Sequence, residues 1–89
     1  MKIMAVCGSG LGSSFMMEMN IKKVLNKLNI NAEVEHSDLG SVTPDVADIF
    51  VMGKDIAYSA NLPEERIIII NNIIDINEIE EKINDFFNK

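Results

Sequence analysis

Short apolar runs alternate with segments of helical periodicity along the 89 residues of the chain, and this alternation restricts the fold more than any other feature. Four of the runs predict strands, at Ile3–Val6, Ala32–His36, Ile49–Met52 and Ile67–Ile70. Strands that alternate with helices form a parallel sheet whose two faces are covered. We therefore expect one α/β domain over residues 1–89, with a four-stranded parallel sheet and helices on both faces, as in Rossmann-like and flavodoxin-like folds.

The pattern within each run predicts its place in the sheet. The second run alternates Ala32, Val34 and His36 with glutamates, which is typical of an edge strand, whereas the first and third runs are almost continuously apolar. With right-handed crossovers, the simplest strand order is 2-1-3-4, and the chain then reverses direction between strands one and three. Cys7 directly follows strand one, at this switch point. We expect the His36 side chain to lie in water.

Two helices follow from the spacing of apolar residues. The first is predicted from about Ser14 to Leu28, and the last begins near Asp75, which has the spacing of a capping box with Glu78. Their predicted buried faces are Met17, Ile21, Val24, Leu25 and Leu28 in the first helix, and Ile76, Ile79, Ile83 and Phe86 in the last.

Composition excludes several classes of function. A single cysteine and a single histidine supply neither an intramolecular disulfide nor an ordinary zinc site, so we expect no metal and no cofactor. The net charge of −6 and the lack of a basic stripe argue against a nucleic-acid partner. No apolar run approaches the roughly 18 residues of a membrane span, and no leader opens the sequence, so we expect a cytoplasmic protein.

A glycine-rich segment after the first strand carries the candidate chemistry. It reads Cys7, Gly8, Ser9, Gly10, Leu11, Gly12, Ser13, Ser14. A glycine loop between a strand and a helix lets backbone N–H groups face an anion at the positive end of the helix, where a thiol also ionises easily. We expect Cys7 to be the nucleophile and residues 8–14 to bind phosphate, with one of the two serines capping the helix and the other donating its hydroxyl.

Known phosphate loops fit this segment unequally. A Walker loop would need lysine where Ser13 stands, and a dinucleotide fingerprint would need a third glycine there. A thiol-phosphate loop fits the position of Cys7, but the low-molecular-weight tyrosine phosphatase, which this fold resembles, has arginine in place of Ser13. Without that arginine, and with no obvious general acid, the loop is better suited to carrying a phosphoryl group than to hydrolysing it.

Lys54 follows the third strand and could emerge beside the loop, so we consider it an auxiliary phosphate contact that partly replaces the absent arginine; a solvated lysine is the alternative.

Two other functions stay open. One is a thiolate-dependent phosphatase or an enzyme like arsenate reductase, and the other is a nucleotide-binding module without chemistry. Leu11, Phe15 and Met16 are expected to form part of a docking surface for partner proteins.

Over essentially its whole length the chain resembles the IIB components of the bacterial phosphoenolpyruvate-dependent sugar phosphotransferase system, and the ascorbate type in particular. The segment Cys7–Ser14 is similar to that subgroup's motif of a cysteine, alternating glycines and two serines. The resemblance implies that Cys7 accepts a phosphoryl group from a phosphohistidine of a IIA component. It further implies transfer to a sugar bound in a IIC membrane permease, where the protein would be peripheral to the membrane.

Overall fold

The computed structural model describes residues 1–8 and 11–88, with the backbone alone for residues 11–14. A four-stranded sheet and three helices make up this part of the chain. In chain order the elements are β1 Lys2–Cys7, α1 Leu11–Lys27, β2 Glu33–Asp38, β3 Ile49–Gly53, α2 Lys54–Ala57, a 3-10 turn Glu64–Arg66, β4 Ile67–Ile70 and α3 Ile76–Phe87.

All strand pairs in the sheet are parallel, and the strand order is β2-β1-β3-β4. This confirms the predicted fold class and order. β4 has the predicted bounds, whereas β1 and β3 extend by a residue or two and β2 is displaced toward its carboxyl end. Cys7 is the register partner of Asp38 on β2, so the carboxyl ends of β1 and β2 lie side by side.

Both faces of the sheet are covered, by different means. Helices α1 and α3 pack on one face, where Ile21, Ile79 and Ile83 are fully buried against alternate residues of the strands. On the other face, the connection between β2 and β3, helix α2 and the segment after it cover Phe50 and Met52. In the described part of the chain, the α-helical part of this second cover is the single turn α2, and the rest is irregular chain and a 3-10 turn.

Helix α1 begins at Leu11, earlier than predicted. Ser13 and Ser14 therefore lie within its first turn, and the prediction that one of them is the N-cap is wrong. The periodicity of buried side chains detects a helix only from its first buried residue, which here is Met17.

Asp75 is the N-cap of α3, as predicted, and its carboxylate accepts hydrogen bonds from the N–H groups of Asn77 and Glu78. The second half of the capping box differs from expectation. The Glu78 carboxylate accepts from the N–H groups of Asn71 and Asn72, at 2.7 and 2.8 Å, instead of from Asp75. It thereby fixes the turn between β4 and α3.

Arg66 fastens the connection between β2 and β3 to the start of β4. Its Nε donates to the Asp48 carbonyl at 2.9 Å, and its Nη2 donates to the carbonyls of Pro44 and Ala47. The guanidinium also lies over the Phe50 ring, 5.4 Å from the centroid. This cluster lies at the amino ends of the strands, where the Asp48 N–H donates to the carbonyl of Lys2.

Candidate functional site

Cys7 is the last residue of β1, at the carboxyl edge of the sheet and between β2 and β3. Its carbonyl accepts a hydrogen bond of 2.7 Å from the N–H of Leu39, and only 5% of the residue is exposed. A strand that is paired on both sides holds its terminal residue rigidly. The predicted nucleophile thus ends one of the two strands that are paired on both sides.

A small cavity of about 60 Å³ adjoins Cys7. Its walls come from the ends of β1 and β3, from α1, from α2 and from the turn after β4. The lining residues are Val6, Cys7, Gly8, Met17, Gly53, Asp55, Ile56 and Ile73. In the described part of this lining, Asp55 is the only ionisable side chain besides Cys7.

Gly8 leaves space for α2 to approach the cysteine. A Cβ atom at this position would lie 2.8 Å from Cγ2 of Ile56, which is closer than real Cβ contacts. Cγ2 is a branch at the β-carbon and does not swing away freely. Glycine is therefore required here by close packing of α2, and not by a left-handed backbone.

The remaining loop residues divide into two groups. Ser9 and Gly10 lie outside the described residues. Leu11, Gly12, Ser13 and Ser14 form the first turn of α1, where four backbone N–H groups lack helical partners and the helix dipole is positive. That turn follows Cys7 closely in sequence, as an anion cradle requires. Phosphate binding by residues 8–14 stays a prediction.

Lys54 is the first residue of α2 and is exposed. It lines a different cavity, of about 510 Å³, which runs between α2 and β4 and includes Tyr58 and Glu64. Its neighbour Asp55 lines the Cys7 cavity instead. The sequence analysis singled out Lys54 for its charge and missed Asp55. Both residues directly follow β3, next to the end of β1, and this position was the signal in the sequence that could have indicated Asp55.

Arg66 is the only arginine of the chain, and the structure places it away from Cys7. Its guanidinium bonds backbone carbonyls at the amino ends of the strands, whereas Cys7 ends β1 at the carboxyl edge. Arg66 therefore does not replace the arginine of the thiol phosphatases.

Glu18 and His36 form a polar cluster that sequence reasoning did not find. Glu18 of α1 is only 8% exposed, and its carboxylate contacts Nδ1 of His36 and lies 2.7 Å from Nζ of Lys22. The prediction that His36 lies in water is wrong: its side chain is partly buried, and its ring centroid lies 5.8 Å from that of Phe15, with the two ring planes nearly perpendicular. The cluster fastens the early turns of α1 to β2.

Two opposing effects act on the Glu18 carboxyl. Burial raises its pKa, and hydrogen bonds from Lys22 and His36 together with their positive charge lower it, so that the net shift is downward. Glu18 therefore stays ionised in the fold, where the Lys22 ammonium lies beside it. Sequence alone gave no signal for this, because a glutamate one residue from the apolar stripe is usually solvated.

Comparison with known proteins identifies the family. Residues 2–85 match the family described as "PTS system, Lactose/Cellobiose specific IIB subunit". A Mycoplasma pneumoniae protein named "Ascorbate-specific PTS system EIIB component" is 27% identical over 84 residues, which cover 91% of this chain and 88% of that protein. Proteins of the same name from Escherichia coli and Shigella flexneri are each 36% identical over 58 residues.

The two 58-residue matches cover 63% of this chain and 57% of each relative, less than two thirds of either relative's length. The family match, by contrast, spans the whole sheet, helices α1 and α2, and α3 up to residue 85. Among the described residues, no helix is long and apolar enough to cross a membrane. The family predicted from the cysteine loop is confirmed. The chain therefore belongs to the IIB subunits of the sugar phosphotransferase system, and it resembles the ascorbate-specific proteins among them.

Proposed function

We propose that this IIB subunit carries a phosphoryl group on the sulfur of Cys7, between a phosphohistidine of a IIA protein and a sugar held by a IIC permease. The observation that carries the proposal is the position of Cys7. It is the only cysteine of the chain and ends the central strand β1, beside a cavity and just before the amino end of α1. A thiolate at that position has backbone N–H groups nearby to hold the oxygens of a phosphoryl group.

In the first transfer, the Cys7 thiolate attacks phosphorus; the S–P bond forms and the N–P bond of the phosphohistidine breaks. In the second transfer, a sugar hydroxyl attacks and gives up its proton to a base or to water; the O–P bond forms, the S–P bond breaks and the thiolate returns. The first turn of α1, residues 11–14, holds the charge of the phosphoryl group in both steps. Binding to IIC would keep the protein at the cytoplasmic surface of the membrane, and the names of the relatives make ascorbate the first sugar to test.

Partners must reach the carboxyl edge of the sheet. Phe15, Met16 and Met19 are about half exposed on the first turns of α1, beside that edge. Apolar side chains that remain exposed next to a reactive group form a suitable surface for short-lived docking. These three residues, which we term the α1 rim, are the proposed contact for IIA.

The test is the intact mass of the protein after incubation with phosphoenolpyruvate, the two general phosphotransferase proteins and a candidate IIA. We expect one added phosphoryl group, mapped to Cys7, absent from Cys7→Ser and lost when IIC membranes and ascorbate are added. If several matched IIA proteins leave wild-type Cys7 unmodified, the carrier proposal is wrong.

A thiolate-dependent hydrolase is the second candidate, and Asp55 favours it. The carboxyl of Asp55 lines the Cys7 cavity, where a phosphatase would need a general acid. The lack of an arginine beside Cys7 argues against this candidate, because the one arginine of the chain, Arg66, bonds backbone carbonyls at the opposite edge of the sheet. Turnover of a small aryl phosphate by wild type, but not by Cys7→Ser, would favour the hydrolase.

A further inference from the structure

Asp55 lies close to the reacting sulfur by virtue of the sheet register. Val6 and Met52 are register partners, so the next residues, Cys7 and Gly53, end adjacent strands. A Cβ atom placed on Gly53 would lie only 2.6 Å from Oδ1 of Asp55, which means that the carboxylate folds back over Gly53. Both Asp55 and Gly53 line the cavity of Cys7. The carboxylate thus covers the end of the strand beside the cysteine.

The fold itself makes little use of this carboxylate. The carboxylate is not the N-cap of α2; that position is Gly53, which makes no side-chain cap hydrogen bond. Within the described part of the chain it takes part in none of the ion pairs, all of which involve Glu18, Glu35 or Glu80. A carboxylate beside a phosphoryl site also repels the bound group. Asp55 therefore does not assist the arrival of phosphate on Cys7.

The two transfers of the proposed function differ in their need for a base. A thiolate and an imidazole nitrogen attack phosphorus with lone pairs and lose no proton. A sugar hydroxyl must lose its proton as the O–P bond forms, and a carboxylate within hydrogen-bond reach is a suitable acceptor.

We propose that Asp55 is a catalytic residue that accepts the proton of the hydroxyl attacking phosphocysteine. This inference rests on the proposed function and assigns Asp55 to the second transfer alone. As the hydroxyl oxygen bonds to phosphorus, its proton moves to a carboxylate oxygen of Asp55, and the electron pair of the S–P bond returns to Cys7 as thiolate. Solvent then removes the proton from Asp55.

The experiment measures both transfers on one phosphorylated protein. Wild type, Asp55→Asn and Asp55→Glu are phosphorylated on Cys7 through IIA and separated from the donor. One sample receives unphosphorylated IIA, to which the phosphoryl group returns without loss of a proton. A second sample receives IIC membranes and ascorbate, and the phosphorylated sugar is quantified.

Asp38→Asn is the matched control. Asp38 also ends a strand next to Cys7, and the change removes the same charge, but Asp38 does not line the cavity. We expect Asp55→Asn to slow transfer to the sugar by on the order of 10²-fold, the usual contribution of a general base. Return transfer to IIA should match wild type, Asp55→Glu should recover part of the sugar transfer, and Asp38→Asn should behave as wild type in both.

Three outcomes overturn the inference alone, and a fourth overturns the proposed function as well. Equal slowing of both transfers by Asp55→Asn would mean that Asp55 only positions α2, and unchanged transfer to the sugar would mean that it has no part in the reaction. Equal slowing of sugar transfer by Asp38→Asn would assign the effect to net charge. A wild-type protein whose Cys7 never becomes phosphorylated would instead overturn the proposed function itself, and this inference with it.

Discussion

The contact between Gly8 and α2 makes a quantitative prediction about Gly8→Ala. The new Cβ would meet Cγ2 of Ile56 at 2.8 Å, so α2 must retreat by several tenths of an ångström to reach an ordinary contact. Overpacking of this kind costs about 1–3 kcal/mol. Alanine also restricts the unfolded chain, which returns about 0.4–1 kcal/mol. We therefore expect a net loss of about 1–2 kcal/mol in the free energy of unfolding.

The assay is urea denaturation of four proteins: wild type, Gly8→Ala, Ile56→Ala and the double variant. Ile56→Ala removes Cγ2 and leaves room for the new methyl group. In the Ile56→Ala background, the loss of unfolding free energy caused by Gly8→Ala should then be smaller by about 1 kcal/mol or more, because substitutions of residues in direct contact show interaction energies of about 0.5–3 kcal/mol. In the wild-type background, a loss of 1 kcal/mol lowers the melting temperature by about 4–8 °C in a domain of this size.

Gly53→Ala is the control for glycine replacement at the same edge. Its new Cβ would meet Oδ1 of Asp55, the end of a side chain that can rotate away, so the substitution should cost less than Gly8→Ala. An equal cost of Gly8→Ala with and without Ile56 would refute the steric explanation. Because Gly8→Ala displaces α2, it should also slow transfer from Cys7 to the sugar, on which Asp55 is proposed to act.

Three further predictions concern stability and docking. Arg66→Lys loses the planar fork that bonds three carbonyls, and we expect a loss of about 2–3 kcal/mol in urea denaturation; an unchanged midpoint would contradict this. Because folding lowers the pKa of Glu18, the ionised carboxylate stabilises the fold at pH values above the pKa of an unfolded glutamate, and this stabilisation is lost as the pH falls through the lowered pKa. The free energy of unfolding, measured against pH, should therefore fall less steeply on acidification for Glu18→Gln than for wild type. Met16→Asp on the α1 rim should weaken IIA binding, measured by calorimetry. Val46→Asp, at an exposed apolar residue near the amino ends of the strands, should leave binding unchanged, and equal weakening by both variants would contradict the proposed docking surface.

Sequence patterns predicted the sheet because its strands are short apolar runs of distinct character. The edge position of β2 followed from the glutamates that alternate with Val34, and the order 2-1-3-4 followed from the handedness of crossovers. The start of α1 was missed because the residues from Leu11 to Ser14 carry no apolar period.

The site was predicted only in part, for a related reason. Cys7 is recognisable from its local sequence, since a lone cysteine before alternating glycines is unusual. Asp55 reaches the same cavity only through the register of β1 and β3, and Glu18 meets His36 only through packing of α1 on β2. Such long-range contacts depend on side-chain direction and on small shifts of helices, which a single sequence does not encode in any local pattern.

The central place of β1 has a consequence for the order of folding. β1 pairs with β2 on one side and with β3 on the other, and β3 begins only at Ile49. Contacts between residues so distant in sequence form slowly, because a long loop must close before they stabilise the chain. Cys7 thus acquires its second neighbouring strand only after more than half of the chain has been synthesised. A partly made chain exposes the cysteine without the walls of its cavity, so the proposed phosphoryl transfer would require the sheet to have closed around it.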